Sequence, residues 1–145
     1  MERWKGRAPA RGAMKNIMKL IDRTGGLEHL KEHPIRIAAH GAFMRLTVEY
    51  IGVGPRGCPL ISVAHYFEQN GDLMRDPEMT FEVLDGEFHP VSCTMDPVGL
   101  YQEAVFKGEA GGVLIKPRLT AELKAIARIW DRNIRDQGYM DEVLK

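Results

Sequence analysis

The dipeptide Asn70-Gly71, set between two apolar stretches, constrains this chain more than any other feature, because it calls for a tight turn between antiparallel strands. Both residues tolerate the positive φ that a two-residue hairpin turn demands. Before it, Leu60 to Phe67 has extended character; after it, Met79, Phe81 and Val83 alternate with Thr80 and Glu82. A period of two is the mark of a strand with one buried face.

Similar runs flank this pair. Leu46, Val48 and Tyr50 alternate with Thr47 and Glu49, and Gly52-Val53-Gly54-Pro55-Arg56-Gly57 breaks the run before Leu60. Asp85-Gly86 is a second tight-turn signal, followed by a returning strand from Phe88 to Thr94, a further run from Leu100 to Phe106 and a weaker one from Val113 to Lys116. The ends of the chain change period. Met14, Ile17, Met18 and Ile21 predict a short amphipathic helix that Gly25-Gly26 stops, and Leu27 and Leu30 a further turn before His33-Pro34. Leu119, Leu123, Ile126, Trp130 and Ile134 predict a C-terminal helix from Thr120, read as its N-cap, to Gln137. The expected fold is α+β: a single antiparallel sheet of five or six strands, a meander, packed by an N-terminal helix and a C-terminal helix.

A chain of 145 residues is long enough to bury one core without disulfides or metal. Residues 14–145 are expected to form one α+β domain. Residues 1–13, with Arg3, Lys5, Arg7 and Arg11 around a lone Trp4, read as a flexible basic tail, with Met1 and Met14 both open as the natural start. Cys58 and Cys93 match no metal spacing and read as thiols in a cytoplasmic protein. No apolar run approaches a membrane span, so no membrane partner is expected. Formal charge sums to zero yet is unevenly placed: residues 1–36 carry nine Lys/Arg against four Asp/Glu, and residues 37–98 carry three against nine. An acidic middle repels a phosphate backbone, so nucleic-acid contact is left to the basic N-terminal arm and to the Arg128/Arg132/Arg135 face of the C-terminal helix.

The candidate site is the acidic turn 65–78. Glu68, Asn70, Asp72, Arg75, Asp76 and Glu78 are its candidate partner-binding residues, ordered by Asn70-Gly71 and Asp76-Pro77. The same carboxylates suit a hard cation: Glu68, Asp72, Asp76 and Glu78 as oxygen ligands, His65 as ligand or base and Asp96 as a further ligand would support metal-dependent chemistry on nucleic acid or nucleotide. Against this, the segment lacks the spacing of an EF-hand loop, and His65 shares strand parity with Ile61, Val63 and Phe67, which suits a core histidine. No organic cofactor is implied, because the chain has no glycine-rich phosphate loop, nucleophile elbow or His-Glu-x-x-His. His89 and Cys93 would stand about 13 Å apart on an extended strand, too far for a catalytic pair.

Ala64-His65-Tyr66-Phe67-Glu68-Gln69-Asn70-Gly71-Asp72, followed by Asp76-Pro77-Glu78, resembles the hallmark of a family of uncharacterised domains of plasmids, integrative elements and phages, also modules of large polyvalent proteins. Phe88-His89-Pro90-Val91 and Tyr101-Gln102-Glu103 extend the likeness over about Leu46 to Val105. The resemblance implies a mobile-element accessory domain and no established chemistry. The leading expectation is a non-enzymatic domain that binds a host or element-encoded protein, such as a host-defence component, through the acidic turn. The alternatives are the metal-dependent enzyme and the nucleic-acid binder; an exposed sheet edge and the methionine content leave room for a homodimer.

Overall fold

The computed structural model describes residues 1–7, 11–38 and 44–143. Among them, six strands form an antiparallel sheet in simple chain order: β2 (Ile35–Ile37), β3 (Arg45–Val53), β4 (Pro59–Gln69), β5 (Asp72–Leu84), β6 (Glu87–Met95) and β7 (Leu100–Glu103). The alternation read from the sequence sets its inner face. Leu46 pairs with His65, Val48 with Val63, Val63 with Met79 and Ile61 with Phe81, and all of these side chains are buried.

The expected single sheet is instead two sheets. The run from Leu100 to Phe106 divides at Ala104: β7 stays with β6, whereas β8 (Val105–Lys107) pairs with β9 (Val113–Ile115), which also pairs with β1 (Glu2–Arg3). The β6–β7 ladder ends at Ser92 and Glu103. Beyond it Ala104 donates to the Val91 carbonyl and accepts from Lys116, turning the chain into the small sheet. The segment expected to be a flexible basic tail has defined contacts in its described parts: Glu2 and Arg3 pair with β9, the Trp4 amide donates to Val113, and Ala13 donates to Phe88.

Helices cover the inner face. α1 (Lys15–Arg23) buries Ile17, Leu20 and Ile21 and is capped at its end by Thr24, α2 (Gly26–Leu30) adds Leu30, and α3 (Pro117–Asp136) packs against α1 and β6. Pro117 occupies the first helical position of α3, where its missing N–H costs nothing, so Lys116 is the N-cap and Thr120 lies inside the helix. The buried stripe of α3 is Leu123, Ala127, Trp130 and Ile134; Ile126, expected on that stripe, is exposed. A short helix, α4 (Tyr139–Val143), closes the core, with the Tyr139 hydroxyl donating to the Met44 carbonyl. Phe81 and Phe88, their ring centroids 5.7 Å apart, pack in this core beside Leu20, Met79 and Leu123. Burial of each such side chain contributes about 1.5–3 kcal/mol. No helix of the described residues is long and apolar enough to cross a membrane.

Candidate functional site

Asn70 and Gly71 form the turn between β4 and β5, with φ of 54° and 86°. Two positive φ values in a two-residue loop match the right-handed twist of the flanking strands. The acidic segment is therefore a long hairpin rather than a loop. Gln69 opposes Asp72, Glu68 opposes Leu73, and Tyr66 opposes Arg75. Strand parity then separates the carboxylates: Glu68 shares a face with Leu73 and Arg75, whereas Asp72 points to the other face. Both are exposed at the tip, as are Asn70 and Leu73, the last at 51%.

Lower in the hairpin the register slips. Ala64 pairs with Glu78 and Tyr66 with Arg75, so Asp76 and Pro77 together stand opposite His65. β5 runs through Asp76-Pro77, which form a bulge inside a continuous strand. The extra residue brings Arg75 and Glu78, three positions apart, onto one face. Asp96, in the turn Asp96–Val98 after β6, completes a triad with them. The Arg75 amide and Nε donate to Asp96 Oδ2 at 2.7 and 2.9 Å, Nη2 donates to Oδ1 at 3.0 Å, and Nη1 reaches Glu78 Oε1 at 3.5 Å. These bonds hold the Asp96 carboxyl below the usual aspartate range and raise the Arg75 guanidinium. Of the six candidate residues, the fold joins Arg75 and Glu78, leaves Glu68, Asn70 and Asp72 at the tip, and sets Asp76 half-buried in the bulge.

Arg75 and Glu78 stand at one end of an open groove of about 660 Å³ on the face of the sheet away from the helices. Its floor is Thr80, Ser92 and Thr94, and its rim includes Tyr101, Glu103 and Lys107. Hydrogen bonds fix the end, floor and rim in turn: Ser62 donates to Glu78 at 2.7 Å, Thr80 and Ser92 hydroxyls meet at 2.5 Å, and Tyr101 donates to Glu103 at 3.0 Å. These groove residues were not singled out as a site from sequence, yet the polar half of each strand's alternation marked their face. Such a surface offers hydroxyls and carboxylates in fixed positions. Among the described residues, no group of three or more His, Cys, Asp or Glu side chains is arranged to hold a metal ion.

His65 lies in the core, as its parity predicts. Its Nδ1 accepts from Trp130 Nε1 at 3.2 Å, and burial pushes its pKa down to about 4, so the ring is neutral at pH 7. A second buried polar group joins the loop between β3 and β4 to β5. Arg56 and Glu82 have fully buried side chains and approach to 3.7 Å, and Glu82 Oε2 accepts the backbone amides of Arg56 and Cys58 at 2.9 and 3.3 Å. Burial raises the Glu82 carboxyl and lowers the Arg56 guanidinium. Trp4 covers the pair, its ring centroid 5.9 Å from Arg56 Cζ. Gly54 is required here by close approach, since a Cβ would lie 2.3 Å from Glu82 Cγ. Cys58 and Cys93 are free thiols, and burial raises both.

The model of a family described as a domain of unknown function, DUF6908, matches residues 15–140, which takes in both main helices and the whole six-stranded sheet. No curated protein and no solved structure matches the chain.

Proposed function

The chain belongs to the DUF6908 family, and from that premise we propose a non-enzymatic recognition module that binds a protein partner through the tip of the β4–β5 hairpin and the groove beyond it. The observation that carries this reading is the Arg75–Asp96–Glu78 triad. It braces the base of a hairpin whose exposed Glu68 and Leu73 form a preordered contact patch on the face of Arg75, with Asn70 and Asp72 exposed at the turn beside it. A braced ribbon loses little conformational freedom on association, and Leu73 offers an apolar centre inside a polar rim. The acidic tip favours a basic partner surface, which speeds encounter and selects orientation. The likeness to mobile-element domains supplies the setting of this reading: a cytoplasmic partner of host or element origin, of which a host-defence component with a basic nucleic-acid groove is one.

The test uses a photo-crosslinking amino acid placed in living cells at Asn70 or at Tyr101, one site at the tip and one on the groove rim. The expected result is the same crosslinked protein from both sites, lost in the Glu68→Lys/Asp72→Lys variant while the melting temperature stays unchanged. Glu78 is left intact because its loss would also break the Ser62 and Arg75 contacts. Crosslinks that persist after charge reversal would overturn the reading, and a crosslink to a second copy would make the contact that of a homodimer.

A further inference from the structure

We propose that the cleft between α1 and α3 is a second binding site, independent of the hairpin, which holds the phosphate backbone of a nucleic acid without reading its bases. The cleft, about 310 Å³, is lined by Lys15 and Lys19 from α1 and by Arg128, Arg132 and Arg135 from α3. All five side chains are exposed. Lys15, Lys19, Arg128 and Arg132 make no ion pair with a carboxylate among the described residues; Arg135 pairs with Asp136 at 3.0 Å.

The carboxylate lining this cleft, Asp131, is already engaged. Its oxygens accept the Asn16 and Ile17 amides at 3.0 and 3.2 Å and the Asn16 side chain at 3.0 Å. It therefore locks the two helices side by side, its single negative charge set against the five cations of the cleft. Glu87 stands on the far side of Lys15 and Lys19, in an adjoining depression.

The lining chooses among anionic partners. Its apolar members among the described residues, Ala13 and Met14, are buried, so those residues offer no exposed aromatic or aliphatic anchor of the kind that centres a protein interface. Ile126 and Ile129, the exposed apolar residues of α3, do not line it, which disfavours a lipid surface. What remains is charge set in two helical rows, the α3 row rising about 10 Å from Arg128 to Arg135. Arginine forks suit phosphate oxygens, and a polyanion is the ligand that rewards charge alone. With no aromatic ring among the described residues of the cleft to stack on a base, binding should be independent of sequence.

Fluorescence anisotropy with labelled single-stranded and duplex oligonucleotides of two unrelated sequences tests this over about 50 to 200 mM salt, a range in which phosphate contacts weaken steeply. The expected result is equal affinity for both sequences and a log–log salt slope of about −3 to −4, for about four phosphate contacts. The two nucleic-acid forms separate which backbone geometry fits the cleft. Arg128→Gln/Arg132→Gln, or Lys15→Gln/Lys19→Gln on the other helix, should each weaken binding at least about tenfold and flatten the slope by about two. Unaltered melting temperatures would confirm that both variants fold. Absence of binding at the lowest salt, affinity unchanged in both variants, or tighter retention on anionic vesicles or polyglutamate than on either oligonucleotide would each overturn the proposal.

Discussion

At the scale of single residues, the interior of the described residues holds two neutral imidazoles whose behaviour is measurable. His65 and His89 are both buried, and burial pushes each pKa down to about 4 from 6.5, with Lys124 and Arg56 adding to the effect at His89. In the window between these values the unfolded chain takes up protons that the folded chain refuses. The stabilisation is thus complete above pH 6.5 and is lost as pH falls toward 4, at up to about 1.4 kcal/mol per pH unit for each ring. Glu82, whose carboxyl is raised by burial, contributes with the opposite sign. Urea unfolding across this window, for the wild type and for His65→Gln and His89→Gln, isolates the imidazoles: each variant should show a shallower fall, and slopes equal to the wild type would refute the assignment. The core position of His65 was legible because period-two parity is a local property. The burial of Arg56 was not, because a loop residue between Pro55 and Gly57 gives no local sign that Glu82, on β5, will receive it.

Among elements, α1 and the β4–β5 hairpin show how far local pattern reaches. Helix α1 has Met14 as N-cap with no side-chain bond and no acid in its first turn, and its first amides are satisfied by Asp131 of α3. Replacing Asp131 by Ala leaves those amides without a partner in a partly dry seam. Stability should fall by about 1–3 kcal/mol in chemical denaturation, and Asp131→Asn should recover part of it. A loss below about 0.5 kcal/mol would mean that water caps α1 as well as the carboxylate does. The periodicity of α1 was readable from sequence, whereas its cap was not, because the capping group lies more than a hundred positions away. The hairpin is the reverse case. Asn70-Gly71 announced the turn, but the bulge at Asp76-Pro77, which sets Arg75 and Glu78 on one face and removes Asp76 from it, depends on pairing with β4 and β6 together.

In the whole molecule, one hydrophobic core includes Ala104 and Val105 at the junction of the sheets, and Val113 and Ile115 of the small sheet pack against it. The two tryptophans report from its two sides: Trp4 over the Arg56–Glu82 pair and Trp130 against His65. If the sheets unfold as one cooperative unit, the variants Trp4→Phe and Trp130→Phe, each keeping one emitter, should give coincident urea transitions. Separate midpoints would divide the chain into two units. The neutral net charge also resolves at this scale into poles, an acidic hairpin tip and a basic cleft between α1 and α3. Sequence alone determined the α+β class, the order of most strands and both main helices, because periodicity and turn chemistry act between near neighbours. Tertiary structure decided the second sheet, the Arg75–Asp96–Glu78 triad, the buried Arg56–Glu82 pair and the meeting of lysines from one end of the chain with arginines from the other. Each of these depends on where strands slip and helices pack, and that is set by the fit of the whole core rather than by any one segment.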